Sequence, residues 1–261
     1  MKTLFLAWQD PQSRHWLTVG RLTFENNLYK FVYTSGALES QNFSCFARMD
    51  DLYSSYVSEE LFPLFANRIL SKSRPEYNDF IRWLTADNEP KDDVFTMLAL
   101  TGGVRGTDLL EIFPCPEPDA SGNYNINFFC HGLRHLPNES SARVRALPPG
   151  EKLFALLDVQ NPFDPLALAL RTDDPTTLVG YCPRYLAEDF NFYLKHDPDV
   201  VKFKVLKVNP DAPEQMRLLC NMTAPWLKHC KPCSNDQYRP LSDKNLNEFG
   251  VESSDSSSIS K

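Results

Sequence analysis

The chain has 261 residues, 42% of them hydrophobic and 12% aromatic, with a formal net charge of −7; that is ample apolar material for one large packed domain or two ordinary ones. An acidic isoelectric point near 5.3 excludes coating of nucleic acid or membrane by bulk charge, because counterion displacement needs clustered Lys and Arg, so any nucleic-acid contact must be local. No apolar run approaches the roughly 20 residues that span a bilayer, and Met1 to Trp8 is too short for a secretory core, which leads us to expect a cytoplasmic protein with no membrane partner.

The first third mixes strands and helices. Thr3 to Trp8, Trp16 to Phe24 and Tyr29 to Tyr33 are short, aromatic and β-branched, and Asp10-Pro11 and Asn26-Asn27 separate them, so they predict a small antiparallel sheet. Glu59 to Leu70 places Leu61, Leu64, Phe65 and Ile69 on one helical face. A second helix starts at Arg74-Pro75-Glu76 and carries Phe80, Trp83 and Leu84; a third runs from about Asp92 to Leu100 and stops at Gly102-Gly103. The segment Thr101 to Pro114 (TGGVRGTDLLEIFP) invites a phosphate-loop reading. It lacks the Lys-Ser/Thr of such loops and leads into a strand, which favours an ordinary glycine turn.

The order of these elements, with the Phe-Ala-Asn-Arg and Gly-Gly segments, resembles the N-terminal subdomain of HipA-type kinases over roughly residues 3–114. Nothing downstream supplies a kinase catalytic or metal-binding motif. The resemblance therefore implies an interaction module, antitoxin-like or adaptor-like, with a protein partner held through residues 3–114.

Pro114 to Gly122 (PCPEPDASG) reads as a stiff polar connector. Beyond it, Tyr124 to Leu136, Lys152 to Val159, Leu166 to Leu170, Leu178 to Cys182, Val200 to Val208 and Met216 to Ala224 read as strands. Between Val159 and Leu166, Asn161-Pro162-Phe163-Asp164-Pro165 predicts a hairpin turn. One helix, Pro183 to Leu194, shows Leu186, Phe190, Tyr193 and Leu194 on a face, with Glu188 and Asp189 outside. Many short strands and one inserted helix in about 100 residues predict a small closed barrel. The fold class is α+β, divided into an α+β domain at 1–113, a Pro-rich linker at 114–123, a barrel at 124–233 and a disordered Ser-rich tail at 234–261.

Four spaced motifs in the second half, HGLRHL, PPGEKLFAL, NPFDPLALAL and LVGYCPRYLAEDF, resemble the HIRAN domain in order. The resemblance implies an OB-like barrel that grips the 3′ end of single-stranded DNA, in a repair, replication-fork, phage or mobile-element setting. Carried over by motif, Asp164 corresponds to the carboxylate that accepts the terminal 3′-hydroxyl, and Phe163 to its aromatic neighbour. Arg134 and Arg184 correspond to basic positions near phosphates, Tyr181 to a His/Tyr position beside them, and His135 to a stacking aromatic. A carboxylate accepts a hydrogen bond from a hydroxyl and repels a terminal phosphate, so Asp164 there would select free ends. The loop Asn209 to Gln215 departs from the family: it carries Asp211 and Glu214 where DNA-binding members offer a second stacking ring.

Plainer structural roles compete for the same residues. Asp164 is a natural turn-capping residue, Phe163 a plug for the barrel end, and Arg134 a strand residue. Arg184 opens a helix, which is misplaced for the dipole and asks for a phosphate or carboxylate partner. Lys202 and Lys204 share a strand face that is either solvated edge protection or a backbone-binding strip, and Lys207 follows them.

The seven cysteines, an odd number scattered through strand-like runs, suit reduced buried thiols better than a disulfide framework. Cys230 and Cys233 form a C-x-x-C beside His229, and Cys220 would complete four zinc ligands, although a second pair at metal spacing is missing. The five histidines lie in no hydrolase or metalloprotease motif, and no ATPase, kinase or nuclease motif is found. The sequence therefore predicts a binding protein, not an enzyme, with single-stranded or 3′-ended DNA as its partner.

Overall fold

The computed structural model describes residues 2–85 and 93–242. By backbone proximity the chain divides into two units, Met1–Phe62 with Asn235–Lys261, and Pro63–Ser234.

In the first unit, β1 (Lys2–Gln9), β2 (Trp16–Glu25), β3 (Leu28–Tyr33) and β4 (Ser55–Ser58) follow one another as an antiparallel meander, in the order β4-β3-β2-β1. The β2–β3 hairpin is tight because Asn26 and Asn27 both take left-handed conformations (φ 52° and 62°), as a two-residue turn matched to strand twist requires. Leu4, Leu6, Val19, Leu22 and Phe31 are buried. Gly20 makes room for Phe31, whose ring would lie 2.6 Å from an added Cβ. The β1–β2 turn is held by Asp10, whose carboxylate accepts from Ser40 Oγ (2.5 Å) and from the Gln12 and Ser13 amides; these bonds pull its pKa down to about 2. The tail expected to be disordered from 234 instead begins as packed chain. Leu241 is fully buried and its N–H donates to Tyr33 O at 2.9 Å. The rest of that tail, 243–261, lies outside the described residues.

The second unit opens with three short helices, α1 (Pro63–Ala66), α2 (Tyr77–Leu84) and α3 (Val94–Thr101). The helix expected over Glu59 to Leu70 shrinks to one turn, since Pro63 starts a helix well and disfavours helical conformation at Phe62 before it. At α3, Asp93 caps the Thr96 amide (3.2 Å) and Gly102 (φ 67°) ends the helix; the Asp92 start lies outside the described residues. The Gly102-Gly103 segment is a helix stop leading to β5 (Leu110–Pro114).

Six strands then make an antiparallel half-barrel: β6 (Asn123–Phe129), β7 (Lys152–Leu157), β8 (Leu168–Arg171), β9 (Leu178–Tyr181), β10 (Lys202–Val208) and β11 (Leu218–Pro225). Their order is β6-β11-β10-β7-β8-β9. The outer strands meet at one point, where His131, just past β6, exchanges two backbone hydrogen bonds with Tyr181 of β9 (2.9 and 3.0 Å). Helix α5 (Arg184–His196) fills the interior with Leu186, Phe190 and Tyr193, packed on Tyr124, Phe128 and Phe203. Burying one such aromatic stabilises by roughly 1.5–3 kcal/mol. Asp189, expected outside, is half-buried; it accepts the Tyr124 hydroxyl (2.9 Å), and burial raises its pKa to about 6. A second helix that the sequence reading did not place, α4 (Asn138–Arg145), precedes β7. Phe80, Leu84 and Met97 of α2 and α3 cover Phe129 and Leu219 on β6 and β11. Among the described residues no helix is long and apolar enough to cross a membrane.

Candidate nucleic-acid interface

Strand β7 runs into a loop, Asp158 to Ala167, whose polar groups hold one another. Asn161 Oδ1 accepts the amides of Phe163 (3.0 Å) and Asp164 (3.2 Å), and Asn161 Nδ2 donates to Asp158 Oδ2 (3.1 Å). Asp164 Oδ1 accepts the Leu166 amide (2.9 Å), and Asp164 O accepts from Ala167 (3.1 Å). The turn-capping role of Asp164 is thus real, yet it engages one carboxylate oxygen; Oδ2 accepts no hydrogen bond from the described residues.

Fixing the backbone this way throws Phe163 outward, 90% exposed, and Leu156, Leu157, Val159 and Leu166 around the same hairpin are exposed too. Phe163 does not plug the barrel end. A single exposed apolar residue asks for no explanation, whereas a cluster crowned by an aromatic ring marks an interaction surface.

Tyr181 joins the loop from the neighbouring strand. Its hydroxyl donates to Asp158 Oδ2 at 3.1 Å, and burial, then Asp158, raise its pKa. Its ring faces Gly132, where an added Cβ would lie 3.2 Å from Cδ2 and where φ is 76°. That left-handed glycine corrects one expectation: the strand predicted over Tyr124 to Leu136 ends at Phe129, and Arg134 and His135 sit on a 3₁₀ turn, Leu133–His135. Both side chains are exposed there, and Arg134 Nε donates to His135 Nε2 at 2.9 Å.

Arg184 opens α5 and finds the carboxylate that its position called for. Its Nη2 donates to Glu111 Oε2 at 3.0 Å; the Arg184 side chain is 38% exposed and that of Glu111 8%. Desolvation lowers the Arg184 pKa against the opposing pull of Glu111 and Asp164. Glu111 was missed by sequence reading, because a lone Glu in an apolar strand gives no motif; its burial in LEIFP was the available signal.

Four of the six expected residues follow the point where the outer strands of the half-barrel meet, or lie on the loop beside it. Phe163 and Asp164 lie on the loop, Tyr181 is tied to it through Asp158, and Arg184, at the start of α5, is held by Glu111. Arg134 and His135 follow the His131 bridge to Tyr181. The acidic loop Asn209 to Gln215 is engaged elsewhere: Asp211 accepts from Arg82 Nη2 (2.6 Å) and Trp83 Nε1 (3.3 Å).

The zinc candidates do not converge. The Cys220 thiol meets Cys130 (3.5 Å) in the core, Cys230 lies beside the Tyr193 hydroxyl, and Cys233 beside Cys115. His229 is exposed. Among the described residues no group of three or more His, Cys, Asp or Glu is placed to hold a metal ion.

A comparison with curated proteins finds no match. Among solved structures, a protein from Lactobacillus plantarum is similar at 14% identity and a TM-score of 0.30, over 40% of this chain and 99% of that one. The HIRAN domain of human HLTF is similar at 16% identity and a TM-score of 0.29, over 51% of this chain and 97% of that one. The family model of the HIRAN domain matches residues 123–226, from the first residue of β6 to just beyond β11. This chain carries a HIRAN domain over residues 123–226.

Proposed function

We propose that this is a non-catalytic DNA-binding protein that recognises the 3′-hydroxyl end of a single strand at the rim built on the Asp158 to Ala167 loop, in the service of repair, fork processing or mobile-element control. The observation that carries the reading is the half-used carboxylate of Asp164, beside a ring that is 90% exposed. A terminal hydroxyl donates to Asp164 Oδ2 while the terminal base lies on Phe163. Arg184, held by Glu111, faces the adjacent phosphate, and Arg134 supplies a second cation. Membership in a family whose resemblance implies 3′-end binding supports the same reading.

Fluorescence anisotropy with otherwise identical single strands ending in 3′-hydroxyl or 3′-phosphate tests it. The protein is expected to prefer the hydroxyl end. Asp164→Asn keeps an oxygen for the Leu166 amide and removes the charge, so the turn survives while end selection falls about 10–150-fold, the equivalent of a charged hydrogen bond of about 1.5–3 kcal/mol. Equal binding of both ends by the unsubstituted protein, or undiminished selection in Asp164→Asn, overturns the proposal.

A further inference from the structure

A second surface lies at the other end of β7. β7 and β10 pair where Phe203 faces Leu153 and Lys204 faces Lys152, and because β10 begins at Lys202, β7 runs on past Leu153 beside an opening. The opening is a groove of about 570 Å³, lined among others by Lys152, Phe154, Arg171, Lys202, Lys204 and Asp199. This is the scale of a site for one extended ligand and not for a duplex.

The groove is cationic in a chain of net charge −7. Phe154 gathers two of the charges: Lys152 Nζ lies 4.6 Å and Arg171 Cζ 4.7 Å from its ring centroid, an attraction that orders both heads at the groove. Lys204 sits directly opposite Lys152 across the strands, a like-charge pairing that is unfavourable within the sheet. No carboxylate of the described residues pairs with Lys152, Lys202 or Lys204. Arg171 has only Asp173, at 3.7 Å and with a 77% exposed side chain, and Asp199 is the acid on the lining. Edge protection, the ordinary reason for lysines on a strand, does not apply, because β10 and β7 are interior strands in the order β6-β11-β10-β7-β8-β9.

We propose that this groove binds the phosphate backbone of single-stranded nucleic acid, holding the strand away from its gripped end. The proposal rests on the end-binding reading and extends it along the chain. From Phe154 to Asp158 the strand path is only about 13 Å, and Leu156, exposed between them, continues the outward face of β7. Short strands would occupy the rim alone, and longer ones both sites.

The test compares salt dependence of binding for a 3′-hydroxyl dinucleotide, too short to bridge that path, and for a 3′-hydroxyl single strand of about 16 nucleotides, the upper end of site sizes for one such barrel. In the combined variant Lys152→Ser, Lys202→Ser, Lys204→Ser, the slope of log affinity against log salt on the longer strand should flatten by about 2, as loss of three single-strand phosphate contacts requires. Binding of the short strand and its end selection should stay unchanged. The matching Lys→Arg variant should keep the original slope, which separates charge from any disturbance of the fold. An unchanged slope in the Ser variant overturns the proposal and leaves the end reading standing, as does an equal loss on both strands. Effective competition by duplex overturns the choice of single strand. If the groove variant loses long-strand binding while the unsubstituted protein shows no end selection, the groove stands and the end reading falls. No binding of either strand by the unsubstituted protein overturns both.

Discussion

The loops that follow β7 and β10 share a composition of Asn, Asp and Pro, yet they commit their side chains in opposite directions. In Asp158 to Ala167 the side chains of Asn161 and Asp164 bond within the loop, Tyr181 reaches in to Asp158, and the aromatic side chain is turned out. In Asn209 to Arg217 two bonds close the loop on itself, from Asn209 Nδ2 to Met216 O and from Arg217 Nη2 to Ala212 O (both 2.8 Å), but the acid and its neighbours reach away to α2. Asp211 takes Arg82 and Trp83, Asn209 Nδ2 donates to Trp83 O (3.0 Å), and Lys207 Nζ donates to Arg82 O (2.6 Å). A loop that satisfies its own backbone keeps side chains for a ligand, whereas one that ties down a neighbouring helix has used them. Asp211, neutralised in this way, therefore gives no reason to expect repulsion of DNA at the rim.

Phe163→Ala probes that contrast with the largest expected effect. Stacking of one base on an exposed ring is worth about 1–3 kcal/mol, or about 5–150-fold in affinity. With the side chain 90% exposed, melting should be unchanged, within about 0.5 kcal/mol. Anisotropy beside thermal melts reads both; a large loss of stability with intact binding would make Phe163 a structural residue. Asn161→Ala comes next. It removes the acceptor of two amides and the donor to Asp158, and should cost about 1–2 kcal/mol of stability, with a parallel fall in end binding as Asp164 loses its placement. Denaturant melts that shift while end selection holds would show that the loop positions Asp164 without Asn161.

Much of this contrast was legible in the sequence on one side only. The Asn-Pro-Phe-Asp-Pro turn, the α5 apolar face and the strand runs read correctly because they rest on local backbone preference and on periodicities of 2 and 3.6. Arg134 was misplaced on a strand because the break depends on one left-handed glycine, Gly132, and a lone glycine inside an apolar run signals a bulge as readily as a stop. The partner of Arg184 was deducible as a carboxylate from the helix dipole, but not as Glu111, which is 73 residues away in the chain. The attachment of Asp211 to Arg82 spans 129 positions, and no local pattern encodes a contact of that kind. The cationic groove shows the same limit. Lys202 and Lys204 were visible as a shared face, whereas the register that sets Lys204 against Lys152 exists only in the folded sheet.

The smallest expected effect tests the second loop itself. Arg82 holds Asp211 below the ordinary carboxylate range, first by its hydrogen bond and then by its charge. A carboxylate with a lowered folded pKa contributes stability that is fully present above its unfolded value of 3.8 and is lost as pH falls through the folded value. Asp211→Ala should therefore melt slightly below the unsubstituted protein at neutral pH. The gap should narrow with added salt, since both partners are about half exposed, and close on acidification below the range of a free carboxylate. DNA binding should not change, because the charge is neutralised by Arg82 and directed to α2. If removing Asp211 instead tightens binding of single strands, the carboxylate faces the ligand and the two loops flank one path for the strand.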